Sequence, residues 1–341
     1  MPKITKNIFP LEWNLSDNLV VPNNDMKVFG TFVCGGGSTM GYKLAGFNHL
    51  GGVEFTEHYS KIYKANHNPK YFYLEDIREF NKREDLPKEL YELDILDGSP
   101  PCAAFSTSGA REKLWGKVSE YEGKQQVKDD LVYIYCDTIE KLKPKVFLLE
   151  NVSGLAKGNA KMYLKNIVQR MSKEYNVQVF LLYAASMGIP QIRNRVFVIG
   201  LRKDIKKPKL DLEFDCPQTT FSITKKYWDL KSDIKLVPCL IEEWDKVAIG
   251  DASKKYFNLC KPSLNKPCYT ITETTSTGAA SVVHPLQKRK LNIEEVRLLS
   301  TFPKDYNFLD TNAISTMGRS VLPVMMANIS NQIYLQWLKT A

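Results

Sequence analysis

Cys102 lies in a stretch of the sequence that could expose its thiol as a nucleophile. The stretch from Asp94 to Ser106 reads DILDGSPPCAAFS. A short apolar run between acidic residues predicts a buried strand ending at Asp97, and the glycine and two prolines after it stop that strand. Cys102 therefore follows the carboxyl end of a strand, the edge at which open α/β sheets bind ligands. We interpret its thiol as a candidate nucleophile, with an inert core cysteine as the alternative.

Acidic residues recur at or near the carboxyl ends of the predicted strands. The predicted strands cover 51–55, 71–74, 94–97 and 146–149. An acidic residue lies at or just after the end of each one: Glu54, Asp76, Asp97 and Glu150. A strand over 27–33 runs instead into a glycine turn, CGGGSTMG, a layout that brings backbone N–H groups to a cofactor. This turn lacks the third glycine of the dinucleotide pattern. The carboxylates therefore favour an adenosine-bearing ligand other than NAD.

The segment before a predicted strand at 196–201 carries two arginines. A period of two places Gln191, Arg193 and Arg195 on one face. Two guanidiniums on one face suit a phosphate or a carbonyl oxygen. A solvent-facing basic edge is the alternative.

Composition narrows the class of protein. The chain has 341 residues, with 43% hydrophobic and 25% charged residues, which is ordinary for a globular protein. It shows neither an apolar run of membrane-span length nor a signal-peptide core, so we expect a cytoplasmic protein without a membrane partner. Seven cysteines without regular spacing argue against disulfides and a metal site. We expect His49, His58 and His67 to be polar surface residues.

Charge and periodicity divide the chain. The net charge of +9 indicates a polyanionic partner, with solvated lysines as the alternative. We predict an N-terminal extension over 1–26 and a catalytic, cofactor-binding domain over 27–202. Periodicity is lost over 203–288, which predicts an inserted, irregular basic domain with a few short strands. Residues 289–341 return to the catalytic domain through a capped helix and a final amphipathic helix.

Taken in order, these motifs resemble the cytosine carbon-5 DNA methyltransferases over nearly all of residues 27–338. The resemblance implies a Rossmann-like, mostly parallel α/β sheet (the class I methyltransferase fold), with 203–288 as target-recognition domain. It also implies S-adenosylmethionine as cofactor and double-stranded DNA as partner of a monomer without a metal. The implied cofactor contacts are Phe32, Gly36, Gly37, Glu54, Asp76, Ile77, Pro101, Ser320 and Val321. The implied catalytic residues are Cys102, Glu150, Arg193 and Arg195, and the implied nucleic-acid contacts are Ser106, Gln191 and Arg297.

The resemblance further implies a mechanism. The Cys102 thiolate would add to C6 of cytosine while Glu150, protonated or sharing a proton, stabilises charge at N3 and Arg195 reaches O2. C5 then takes the methyl group, and loss of the C5 proton and of the thiol regenerates the enzyme. Because C6 is inaccessible in a stacked duplex, the base would be flipped out.

The chain also departs from the usual motifs. The departures are Cys34, Thr56, Ala103, Asn194 and Arg319. Arg319 stands where asparagine is usual and adds charge and bulk beside the cofactor's methionine end. Two alternatives stay open: the transfer-RNA branch of the family, suggested by the Cys-Tyr-Thr run at 268–270, and a silent nucleic-acid-binding module in which Arg319 blocks the cofactor. Since no departure removes a bond-making group, we expect an active DNA methyltransferase, with a restriction–modification pair as one setting.

Overall fold

The computed structural model describes residues 3–17, 21–101, 118–121, 124–127, 130–230, 235–273, 279–309 and 312–339, with backbone only at 118–121, 124–127 and 159. Its strands are β1 (Lys27–Thr31), β2 (Asn48–Glu54), β3 (Tyr71–Leu74), β4 (Ile95–Gly98), β5 (Val118–Tyr121), β6 (Lys124–Val127), β7 (Val146–Val152), β8 (Tyr175–Tyr183) and β9 (Asn194–Arg202). Its helices are α1 (Gly37–Leu44), α2 (Glu57–His67), α3 (Ile77–Lys82), α4 (Leu131–Leu142), α5 (Lys161–Met171), α6 (Pro238–Lys246), α7 (Ile293–Leu299), α8 (Ala313–Arg319) and α9 (Pro323–Ile333). A π-helical turn, Tyr334–Leu338, continues α9.

Seven strands form one sheet in the order β3-β2-β1-β4-β7-β9-β8. The first five pair in parallel, and β9 runs antiparallel to both of its neighbours. The strand order reverses between β1 and β4, which makes that gap the switch point where doubly wound sheets bind ligands. The prediction of a mostly parallel, Rossmann-like sheet is therefore confirmed.

Helices cover both faces of the sheet because alternate strand residues are apolar on both sides. Along β7, Val146 and Leu148 enter the cluster that contains α1 and α9. Phe147 and Leu149 enter the cluster that contains α4 and α5. Helices α1 and α9 approach closely at Gly41, where an added Cβ would lie 2.5 Å from the Met326 Cβ.

The predicted inserted region has little regular structure among its described residues. It contains α6, a 3₁₀ turn over Phe221–Tyr227 and isolated bridges in place of the short strands that we predicted. Leu236, Leu240, Val247 and Leu259 form a small separate apolar cluster with Val283. The boundaries at 203 and 288 stay a prediction.

The N-terminal extension packs on the body of the protein. Phe9 and Trp13 are buried, and the indole N–H of Trp13 donates to the carbonyl oxygen of Thr301 at 3.0 Å. In the part of the chain that the structure describes, we find no helix with the length and apolarity needed to cross a membrane.

A capping box starts α7, as its sequence predicts. Asn292 accepts from the backbone N–H of Glu295 at 2.9 Å, and Glu295 accepts from the backbone N–H of Asn292 at 2.8 Å. The Asn292 amide also donates to the carbonyl oxygen of Tyr227 at 2.9 Å. One residue therefore begins the helix and joins it to the 3₁₀ turn.

We expect Asn292→Ala to lower the free energy of unfolding by about 2 kcal/mol, because it removes both the cap and the bond to Tyr227. Denaturant unfolding would measure the loss. Asn176→Ala, at an exposed position of β8, is the matched control and should change stability by no more than about 0.5 kcal/mol. Equal stability of the two variants would contradict the capping role.

Candidate active site

The glycine turn between β1 and α1 is held in an unusual backbone conformation. Phe32, Cys34 and Gly36 all have positive φ, at 56°, 47° and 80°. A Cβ at Gly36 would collide with the His67 ring, and one at Gly37 would lie 2.8 Å from the Ser320 Cβ. The two glycines thus allow backbone to pack closely on both sides of the turn.

Two strand-end carboxylates lie beside this turn. Glu54 is buried and accepts from the backbone N–H of Cys34 at 2.8 Å and of Thr56 at 2.9 Å. Burial raises the pKa of Glu54 above its usual value, against the effect of those bonds. Asp76 caps α3 by accepting from the N–H of Arg78 at 2.8 Å, and Ile77 beside it is buried.

Two histidines that we expected at the surface are buried. His58 is exposed, but His49 and His67 are only 8% and 5% exposed. His67 ends α2 against the glycine turn, with its ring 4.7 Å from that of Tyr63, and His49 lies within 3.3 Å of the Thr39 hydroxyl. Burial lowers the pKa of His67 to about 3, so the ring is neutral at pH 7.

Glu150 and Arg195 form an ion pair at the carboxyl edge of the sheet. The Arg195 Nε lies 2.9 Å from the Glu150 Oε1, and their side chains are 16% and 10% exposed. Antiparallel register places Glu150 opposite Phe197, two residues from Arg195 on the same face. Pro101 lies at this edge as well and is half-buried. Cys102 and Ser106 lie outside the described residues.

Arg193 is buried, and the terminal nitrogens of its guanidinium are bonded within the protein. It is 2% exposed. Its guanidinium donates to the carbonyl oxygens of Ile271 at 3.0 Å, Gly318 at 3.0 Å and Ser320 at 2.8 Å. The two arginines that the sequence places on one face therefore have different partners.

The side chains expected to contact nucleic acid are also engaged internally. Gln191 is fully buried and donates to the Leu299 carbonyl oxygen at 3.0 Å. Arg297 is 2% exposed, and its guanidinium bonds Glu294 at 2.8 Å and the Tyr227 hydroxyl at 3.1 Å. In this conformation both hold protein segments together.

Arg319 lies beside the turn but is paired. Its guanidinium forms an ion pair with Glu273 and lies 5.8 Å from the centre of the Tyr59 ring. Ser320, the next residue, is buried and donates to the Thr316 carbonyl oxygen at 2.8 Å. Val321 is buried as well.

Two residues that pack against the glycine turn are not predicted from the sequence. The Tyr306 hydroxyl donates to the Gly35 carbonyl oxygen, and the His67 ring packs on Gly36. Neither lies in a motif, and their only signal is an aromatic or imidazole ring at the end of a helix or turn. Among the described residues, no three His, Cys, Asp or Glu side chains could hold a metal ion.

Fold and site together define a class I methyltransferase, with a glycine turn, strand-end acids and a carboxylate–arginine pair at one sheet edge. The sequence profile for C-5 cytosine-specific DNA methylases matches residues 26–246. The chain belongs to that family, and it is a DNA cytosine-5 methyltransferase that depends on S-adenosylmethionine.

Individual relatives agree with this assignment. The chain is 27% identical to the type II methyltransferase M.Sau96I of Staphylococcus aureus, over 91% of this chain and 75% of that protein. It is 31% identical to the type II methyltransferase M.FnuDI of Fusobacterium nucleatum, over 61% of this chain and 56% of that protein. A crystal structure of a prophage-encoded putative DNA modification methyltransferase from E. coli superposes with a TM-score of 0.71 and 18% identity, covering 92% of this chain and 99% of that one.

The different partners of the two arginines predict different losses. Arg193→Met should lower the free energy of unfolding by about 3 kcal/mol or more, because it leaves buried carbonyl oxygens without donors. Arg195→Met should lower kcat for methyl transfer at least about tenfold and cost less stability than Arg193→Met, because one ion pair is lost in place of three buried hydrogen bonds. Denaturant unfolding and a methylation assay on both variants would measure this. Equal loss of stability in the two would contradict the assignment.

Proposed function

We propose that this chain methylates C5 of flipped-out cytosines within a specific sequence of double-stranded DNA, as the modification enzyme of a restriction–modification pair. The observation that carries the proposal is the Glu150–Arg195 pair at the carboxyl edge of the sheet, one strand away from the β4 end that leads to Cys102. The relatives named above as type II methyltransferases support the setting. We further propose that the protein acts inside the cell as a monomer.

The residues around the glycine turn fit S-adenosylmethionine. The turn that contains Gly36 and Gly37 packs against the His67 ring and Ser320 with no room for a Cβ, and we assign its backbone, together with Phe32 and Ser320, as the cofactor cradle. The Glu54 carboxylate suits ribose hydroxyls, and Asp76 with Ile77 suits adenine at the end of β3. Pro101 and Val321 would complete the wall. When bound, the cofactor supplies an electrophilic methyl group on a sulfonium.

Cys102 and Glu150 would make cytosine C5 nucleophilic. The Cys102 thiolate bonds to C6, and the electron pair of the C5–C6 double bond moves so that C5 becomes enamine-like while Glu150 supplies a proton or hydrogen bond at N3. After C5 has been methylated, its proton is lost to a base and the C6–S bond breaks. Aromaticity returns and the thiolate is regenerated.

Arg195 has two roles in this scheme. Its Nε holds the Glu150 carboxyl in one orientation, and we propose that its guanidinium also reaches cytosine O2. We assign Arg193 and Gln191 to positioning, since their side chains hold Ile271 and the segment around Ser320. Arg297 positions the 3₁₀ turn of the target-recognition domain through the Tyr227 hydroxyl. Ser106 is proposed to contact the DNA.

Incubation with S-adenosylmethionine carrying a tritiated methyl group tests the proposal. We expect label in double-stranded DNA at C5 of cytosine, and none in transfer RNA. Cys102→Ser should abolish transfer and keep cofactor affinity within a few-fold, while Glu150→Gln should lower kcat about 10²- to 10⁴-fold.

DNA that carries 5-fluorocytosine separates nucleophilic addition from binding. The fluorine cannot leave as a proton does, so the wild-type protein should form a stable covalent complex and Cys102→Ser should not. Label in RNA alone would instead favour the transfer-RNA branch, and DNA binding without any label would favour a silent module. Bisulfite sequencing of DNA from cells that express the chain would identify the target sequence.

A further inference from the structure

One strand-end carboxyl has no role in the scheme above. Glu54, Asp76 and Glu150 are each assigned, but Asp97 at the end of β4 is not. Asp97 is only 3% exposed. It lies opposite Gly30 of β1 and Leu148 of β7, directly at the switch point of the sheet. Strand alternation places its side chain on the same face as Glu150.

The groups that contact the Asp97 carboxyl are neutral hydroxyls from the first turns of α1. The Tyr42 hydroxyl donates to Oδ1 at 3.3 Å, and the Ser38 hydroxyl is bonded to the same carboxyl. Since Ser38 and Tyr42 are four residues apart, they share one helix face. Because that helix begins at the glycine turn, hydrogen bonds join Asp97 to the segment that directly follows the turn.

The titratable groups that face Asp97 come from four elements: Tyr42 from α1, Tyr63 from α2, Tyr135 from α4 and Glu150 from β7. Burial raises the pKa of all three tyrosines, which are neutral at pH 7. Burial and the neighbouring charge of Glu150 raise the pKa of Asp97 to about 7. In the free protein this carboxyl is therefore close to half protonated at neutral pH.

A buried carboxylate next to a second carboxylate is stabilised most by an added positive charge. We propose that Asp97 is the counter-charge for the cationic end of S-adenosylmethionine, releasing a proton to solvent and binding the cofactor as a carboxylate. The inference rests on the cofactor assigned under the proposed function. The cofactor carries two cationic centres, the sulfonium and the α-ammonium, and either satisfies the same requirement.

Proton release on binding tests the proposal without methyl transfer. Calorimetric titration with S-adenosylmethionine at pH 6.5, in two buffers of different ionisation enthalpy, gives the number of protons released. If binding lowers the pKa of Asp97 by about one unit, wild-type protein releases about half a proton per cofactor. Asp97→Asn should release none from this position. S-adenosylhomocysteine lacks the sulfonium charge, so equal release with that ligand assigns the effect to the ammonium and no release assigns it to the sulfonium.

The proposed ionisation of Asp97 also predicts how the affinity for S-adenosylmethionine depends on pH. The carboxylate favours binding above the pKa of Asp97 in the free protein, so wild-type affinity should gain about tenfold between pH 5 and pH 8 relative to Asp97→Asn. Comparing the two proteins at each pH cancels titration of the cofactor's own amine. At pH 8 the variant should bind about tenfold more weakly, and at pH 5 about equally.

Asp94→Asn is the matched control, because Asp94 is buried just before the opposite end of the same strand and pairs with Lys145 at 2.8 Å. It should keep the wild-type proton release. The Asp97→Asn protein should melt no lower than wild type at pH 8, since the substitution removes a buried charge. If it fails to fold, the wild-type release should still fall to about a tenth of a proton at pH 5, where Asp97 stays largely protonated and the cofactor's amine is charged both free and bound. Unchanged release in Asp97→Asn overturns the inference, whereas wild-type protein that binds no cofactor at all overturns the proposed function instead.

Discussion

A buried guanidinium joins three parts of the chain that are far apart in sequence. Arg193 precedes β9 and donates to carbonyl oxygens that lie 78, 125 and 127 residues further on. A buried carbonyl group without a donor costs about 1–3 kcal/mol, so the segments at 271 and 318–320 depend on this fork for their positions. Two residues later in the chain, Arg195 forms an ion pair with Glu150. The start of β9 therefore couples the wall of the cofactor cradle to the carboxylate beside it.

Three carboxyl groups, those of Glu54, Asp97 and Glu150, lie at the carboxyl edge of the sheet, and each one has different stabilising partners. Glu54 accepts two backbone N–H groups, and Glu150 has an arginine. Asp97 has only neutral hydroxyl donors among the contacts described above, and the charge of Glu150 opposes its ionisation. Because charges at a dry edge interact more strongly than in water, the three carboxyls cannot respond alike to one bound cation. Asp97, whose described partners are neutral hydroxyls, should therefore change its ionisation most when a cation binds.

The sequence predicts elements far better than it predicts partners. Short apolar runs that end in acids locate β2, β3, β4 and β7 to within a few residues, because strand periodicity and turn residues are local. The common face of Arg193 and Arg195 is local as well, but their partners are set by residues that the fold brings in from elsewhere. His67 illustrates the same limit, since a polar residue at a helix end was expected at the surface and instead packs on Gly36. Nothing local indicates that contact.

The glycine turn at this edge also has backbone in sparsely populated conformations. Phe32 and Cys34 adopt positive φ without being glycine, which costs about 1 kcal/mol or more for each residue. A buried carboxyl at Asp97 adds an electrostatic cost whenever it is ionised. Both costs lie within the turn and strand end that face the proposed cofactor, and the close packing of α1 against α9 at Gly41 holds the helix that follows the turn in place. A ligand that brings positive charge to this edge would offset the electrostatic cost of the Asp97 carboxylate, so the proposed cofactor would stabilise a strand end that is unfavourable by itself.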